Sequence, residues 1–402
     1  MKLGLVVFVL LVITVSAFEY TVNKKNTRII TGEIHHRNIT ELKEYHQRQR
    51  LQAASDHRFY IPSYPAEPVV SFVKIGEAEE LFRVSLESGT NSFWVLDVSY
   101  PEAINVTTFD PHSSDSTATE VGPFKTQSQE LEYYGTEYKD VVTYFNSMEQ
   151  NFGSVNRSST WSGEPLYDKN ISGVLGLAWN PDLISEPLTS ASAPILNILS
   201  TLPEGAPRMF AQAVGQDTES GKLSWSIFGF GGELDGVCEP TSIVSAPLSF
   251  DQERYSFGFQ FDTFTLGDYY VPGGFAKIDS GSPIITVTWA AYDLIYKTLD
   301  ANFDYDAGIY TTDCTNRGAA DDFIFTVGDV KLNVPSTSYV VDVGLSDNEC
   351  ALAMEMSWYE TAPWVLGIPF QYNYCVKFDV ENSEISFQTY VPDTTQSPSF
   401  EV

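Results

Sequence analysis

The stretch Phe82-Arg83-Val84-Ser85-Leu86-Glu87-Ser88-Gly89-Thr90-Asn91-Ser92-Phe93-Trp94-Val95 decides how this chain folds. Phe82, Val84 and Leu86 alternate at strand period, and the strand delivers a carboxylate into a Ser-Gly-Thr turn. Gly89 lets the backbone reverse tightly, while the hydroxyls of Ser88 and Thr90 can hydrogen-bond a carboxylate held at the turn. A single turn of this kind is common in loops. Here it occurs twice: Phe275-Ala276-Lys277-Ile278-Asp279-Ser280-Gly281-Ser282 is again a strand delivering a carboxylate into a Ser-Gly-Ser turn.

A second motif repeats with the first. Ser172-Gly173-Val174-Leu175-Gly176-Leu177 follows the Glu87 turn, and Trp364-Val365-Leu366-Gly367-Ile368 follows the Asp279 turn. Glu87 and Asp279 are 192 positions apart, Leu175 and Leu366 are 191 apart, and this shared period reads as two homologous halves. The layout resembles the pepsin-like aspartic proteases. In that family each half supplies one Asp-Thr/Ser-Gly turn, later passed by an apolar-apolar-Gly strand. Ile75-Gly76, Phe82 to Gly89 and Phe93-Trp94-Val95 match the family's first-lobe opening without a gap. The resemblance implies a mostly β, bilobal pepsin-like fold, two homologous β lobes with a cleft between them. Short alternating runs broken by Gly, Pro, Asn and Ser agree with it, and Ala193 to Leu199 and Ala290 to Leu299 are the best helix candidates.

The 402 residues, 43% of them hydrophobic, suffice for two packed domains. Residues 1–17 carry Lys2, an apolar run from Leu3 to Val15 and a small-residue Ser16-Ala17 end, the pattern of a secretory signal peptide, with an uncleaved anchor as the alternative. Residues 18–60 hold eight Lys/Arg against five Asp/Glu and four of the five histidines; residues 61–402 hold 14 against 48. A basic segment ahead of so acidic a body resembles a zymogen propeptide, which lets go when acid protonates the carboxylates that hold it. A solvated linker is the alternative, and Thr40 to Leu51 is read as a short helix within it. The N-terminal lobe is expected over 61–240, the C-terminal lobe over 241–391 and a polar tail over 392–402. The acidic body argues against nucleic acid or an anionic membrane as partner, and no later segment reads as a membrane span.

Four cysteines allow three connectivities if they form two disulfides, with free buried thiols as the alternative. The resemblance implies a Cys314–Cys350 bridge, with Cys238 and Cys375 as the other pair. Asn38, Asn105, Asn156 and Asn170 each open an Asn-x-Ser/Thr sequon, consistent with a secreted or, alternatively, lysosomal glycoprotein.

Aspartic proteases work through two carboxylates that share one proton. The ionised one draws a proton from a water while the protonated one polarises the scissile carbonyl. The resemblance assigns these roles to Glu87 and Asp279, the cross-linking of the two loops to Ser88 and Ser280, and the bonding of outer carboxylate oxygens to Thr90 and Ser282, around Gly89 and Gly281. Glu87 stands where the family has aspartate. Its extra methylene pushes the carboxylate forward by about 1 Å or more, and misplacement of that size costs roughly 100-fold. Tyr134-Gly135-Thr136 matches the tip of the family's flap, placing Tyr134 near Trp94, but Glu137 replaces the flexible Gly and the segment reads as shortened. A stiffer, shorter flap clamps a peptide less well.

His112 is the one histidine after the leader, so no Ser-His-Asp or Cys-His set exists in the body, and no zinc spacing, phosphate loop or calcium loop is found. The reading is a monomeric, cofactor-free secreted homologue of an aspartic endopeptidase, acting on or binding a peptide or unfolded protein, with activity weakened or lost through Glu87. The alternative is a non-catalytic pseudoprotease that binds peptide or protein ligands in the same cleft.

Overall fold

The computed structural model describes residues 70–391, except 77–80, 102, 104–105, 114–115, 129–130, 145–146, 161–170, 180–192, 217–222, 235, 252–255, 346–347 and 358–363, and also 19–20, 28–35, 38–41 and 43–44. The expected signal peptide, much of the 18–60 segment and the polar tail lie outside the described residues.

The strand Leu81–Glu87 sends Phe82, Val84 and Leu86 into the core, none more than 1% exposed. It pairs antiparallel with Val70–Ile75 and parallel with Gly173–Gly176, where Glu87 stands opposite Gly176. Past the turn, Phe93–Leu96 returns on the other side of Gly173–Gly176. The apolar-apolar-Gly strand therefore runs between the two arms of the turn and holds them apart. In the second half Tyr269–Ile278 lies parallel to Trp364–Leu366, which Ile285–Val287 flanks antiparallel. The repeat read from the sequence is thus a repeat of topology. Its glycines answer to close approach: a Cβ on Gly176 would lie 2.6 Å from Thr90 O, and one on Gly367 2.0 Å from Ile284 O.

One sheet takes strands from both ends of the chain. Its order begins Cys238–Pro247, Glu384–Tyr390, Tyr374–Asp379, Met209–Gln216, Leu223–Phe230, Arg28–His35, Val70–Ile75 and then the strands around Glu87. The boundary expected at residue 240 falls inside the strand Cys238–Pro247. Arg28–His35, from the basic leader, pairs with Leu223–Phe230 along all eight residues and buries Ile34 completely. The helix expected from Thr40 starts at Ile39 among the described residues, with Asn38 Oδ1 accepting from the Thr40 and Glu41 amides as a cap. Helices at Pro194–Ser200 and Trp289–Thr298 match the two candidates.

The second lobe is built on ring packing. Trp364 sits 5.2 Å from Phe261 and 5.8 Å from Phe325, both edge-on. Two disulfides, Cys238–Cys375 and Cys314–Cys350, join the pairs implied by the resemblance. They are the mark of an extracellular or lumenal protein. Asn38 and Asn156 are exposed, while Asn105 and Asn170 lie outside the described residues. Among the described residues no helix is long and apolar enough to cross a membrane.

Candidate active site

The two carboxylate turns meet at the junction of the halves and are tied together by two serines. The Ser88 amide donates to Ser280 Oγ and the Ser280 amide to Ser88 Oγ, both at 3.1 Å. Each hydroxyl then donates across to the opposite strand, Ser88 Oγ to Ile278 O at 3.0 Å and Ser280 Oγ to Leu86 O at 2.6 Å. Ser88 and Ser280 are buried, so these bonds form where water does not compete. The two hydroxyls thus join one turn to the other.

Glycine at the third position of each turn makes room for the other turn's acid. A Cβ on Gly89 would lie 2.2 Å from Asp279 Oδ2 and 2.4 Å from its carboxyl carbon Cγ. A Cβ on Gly281 would lie 2.4 Å from Glu87 Cγ and 2.7 Å from its carboxyl carbon Cδ. The same 2.4 Å falls on different chemistry in the two turns. On Gly89 lies the carboxyl carbon of an aspartate; on Gly281 lies a methylene of glutamate. Glu87 thus puts a methylene at the distance where Asp279 has its carboxyl carbon, and its own carboxyl carbon follows at 2.7 Å.

Further asymmetry surrounds the acids. Asp279 Oδ1 accepts from the Gly281 amide at 2.9 Å, and Oδ2 pairs with Lys277 Nζ at 2.9 Å. Both side chains of that ion pair are mostly buried, 14% and 10% exposed. Glu87 has no counterpart to the Gly281 bond among the described residues. It keeps some exposed surface, yet its carboxyl is enclosed by protein. Burial raises its pKa to about 8, and the facing charge of Asp279 adds to the rise. The Ser85 hydroxyl and the Lys277 charge offset part of it.

Three expectations need correction. The Ser282 hydroxyl donates to Ile284 O at 3.0 Å and Thr90 Oγ1 accepts from the Ser92 amide at 3.4 Å, and among the described residues neither hydroxyl bonds a carboxylate. Tyr134-Gly135-Thr136 is not a hairpin tip. It lies within the strand Leu131–Thr143, paired on one side with Thr119–Ser128 and on the other with Ser147–Thr160. The ring stacked on Trp94 belongs to Tyr133, at 4.4 Å. Tyr134 faces the opposite way, donating to Glu132 between Lys125 and Arg157, whose charges lie 5.3 and 4.5 Å from its ring. Glu137 takes a bond from Asn151 Nδ2 at 2.9 Å in the same ladder.

Sequence reasoning missed Lys277 and Ser85. They occupy matching places, two residues before Asp279 and Glu87, where strand alternation turns both side chains toward the acids. A lysine at an inward-facing position of a strand that buries Ala276 and Ile278 on its other face was the available signal.

Comparison with known proteins bears on the whole arrangement. The sequence profile described as eukaryotic aspartyl protease matches residues 70–390. Aspartic protease 1 of Caenorhabditis elegans is 26% identical over 339 residues, 79% of this chain and 81% of that protein. Pepsin A of Suncus murinus is 24% identical over 371 residues, 86% of this chain and 89% of its own.

Proposed function

The chain belongs to the eukaryotic aspartyl protease family, and on that premise we propose that it binds extended peptides between its lobes and hydrolyses them weakly or not at all. One observation carries this reading: the serine-tied turns are whole, while a methylene of Glu87 takes the place of a carboxyl carbon over Gly281. Two acids acting on one water must both reach it, and an offset of one bond spoils that geometry at a cost of roughly 100-fold. The capacity to share a proton remains, because two facing carboxyls repel one another when both are ionised. Complete loss of hydrolysis, leaving a peptide-binding pseudoprotease, is favoured by the Tyr134 segment lying in a strand paired on both sides instead of at a mobile tip.

The chain acts as a secreted monomer under this proposal, with an acidic lysosomal setting as the alternative. The leader strand Arg28–His35, placed between Leu223–Phe230 and Val70–Ile75, supports a zymogen-like precursor. Among the described residues, Asn38 and Asn156 are exposed sequons open to glycosylation.

The test is cleavage of unfolded casein by the acid-treated protein between about pH 3 and 6, with and without a statine-type peptide, beside Asp279→Ala. Slow cleavage that the statine peptide blocks and Asp279→Ala abolishes is the expected result for a weakened protease. Binding of the statine peptide without cleavage identifies a pseudoprotease. Absence of both binding and cleavage overturns the proposal.

A further inference from the structure

The oxygen of Asp279 that faces the other turn is already taken. Oδ2 is the atom nearest the position a Cβ would occupy on Gly89, at 2.2 Å, so it points across toward the turn that carries Glu87. That same atom meets Lys277 Nζ at 2.9 Å, and the second oxygen, Oδ1, accepts from the Gly281 amide. At the matching place in the first half stands Ser85, with a short side chain and no charge. The cation is therefore particular to the second turn and not a product of the repeat.

Burial gives the contact its force. An ion pair this little exposed is not weakened by bulk water as a surface pair is, and separating it leaves two desolvated charges. A hydroxyl or water seeking Oδ2 must displace the ammonium or accept a poorer position. Any molecule that gains affinity by placing a hydroxyl between two carboxyls loses that gain here, while its backbone and side-chain contacts with the lobes are unaffected.

We infer that Lys277 is a built-in counter-ion that holds the Asp279 oxygen directed at the Glu87-bearing turn, so that the groove binds peptides by shape and backbone contacts and not through a hydroxyl or water between the acids. Lys277 is a positioning residue, acting through Asp279. The inference rests on the peptide-groove reading above and deepens it by naming the ligand class, an extended peptide with no requirement for a tetrahedral, hydroxyl-bearing centre. It also makes the defect a double one: Glu87 misplaces one carboxyl, and Lys277 occupies the other.

Two probe peptides test it, one containing a statine residue and one identical except that the statine hydroxyl is replaced by hydrogen. Their affinities are measured by calorimetry on the wild-type protein, Lys277→Met and Lys277→Arg, with circular dichroism to verify folding and Lys277→Gln in reserve should the methionine variant not fold. The two peptides should bind the wild type within a few-fold of each other. In Lys277→Met the hydroxyl should add about 10-fold or more, the size of a hydrogen bond to a charged group. Lys277→Arg, which restores the cation, should return the ratio to that of the wild type. A hydroxyl advantage of that size in the wild type, or the same ratio in wild type and Lys277→Met, overturns the counter-ion assignment and leaves the groove standing. Failure of both peptides to bind any variant sinks the groove reading and this inference with it.

Discussion

Ser88 and Ser280, 192 residues apart, trade amide-to-hydroxyl bonds across the junction of the two halves at 3.1 Å in each direction. The exchange fixes both turns against each other before any ligand arrives. Ser280→Ala would remove the bond to Leu86 O and orphan the Ser88 amide, both in a buried site. The expected loss is about 2–4 kcal/mol of stability, from an absent bond and an unsatisfied buried group. Chemical denaturation measures it, and the double variant with Ser88→Ala should lose less than the sum of the two singles, because the bonds form one network.

Glu87 makes stability depend on pH in a window set by its raised pKa. Between about pH 4.5, its ordinary value, and about 8, the folded chain keeps a proton that the unfolded chain has released. The folded state then binds more protons, so stability falls as pH rises through that window, by at most about 1.4 kcal/mol per pH unit for one proton. Glu87→Gln carries no titrating group there. Thermal unfolding from pH 4 to 9 should show the Gln variant gaining on the wild type as pH increases; parallel curves would refute this.

Restoring both acids should restore hydrolysis more than restoring either. Glu87→Asp withdraws one carboxyl by one bond, and Lys277→Met frees Asp279 Oδ2. Casein cleavage by the double variant should exceed the wild type by about 100-fold or more, and should exceed that of either single variant. A double variant no better than Glu87→Asp alone would show that Lys277 does not limit the reaction.

Tyr133 and Tyr134 should behave differently although they are adjacent. Tyr133 is buried against Trp94, in a cluster with Leu96, Tyr100, Phe124, Val155 and Val174. Tyr133→Ala should cost about 3–5 kcal/mol, the usual loss for a buried ring, and alter tryptophan fluorescence. Tyr134→Phe removes only a partly buried contact with Glu132, and its melting temperature should stay within a few degrees of the wild type.

The order of the chain alone was enough for the architecture. The period-2 alternation of Phe82, Val84 and Leu86, the acid-Ser-Gly turns at Glu87 and Asp279, and the glycine-ended strands near Leu175 and Leu366 are local signals, and the repeat at one period doubles their weight. The serine cross-links were legible from their places in the repeat, the Cys314–Cys350 bridge from the family pattern, and Cys238–Cys375 as the pair that remained. What a side chain touches was not legible. Lys277 reaching Asp279 Oδ2, the hydroxyls of Thr90 and Ser282 turning to backbone atoms, and the proton affinity of Glu87 all depend on distances between groups that meet only after folding. Nor was the face of the Tyr134 segment. A strand shows alternate residues to opposite sides, so a register difference of one residue decides whether Tyr133 or Tyr134 reaches Trp94, and only the paired ladder, with its bulge between Tyr134 and Gly135, sets that register.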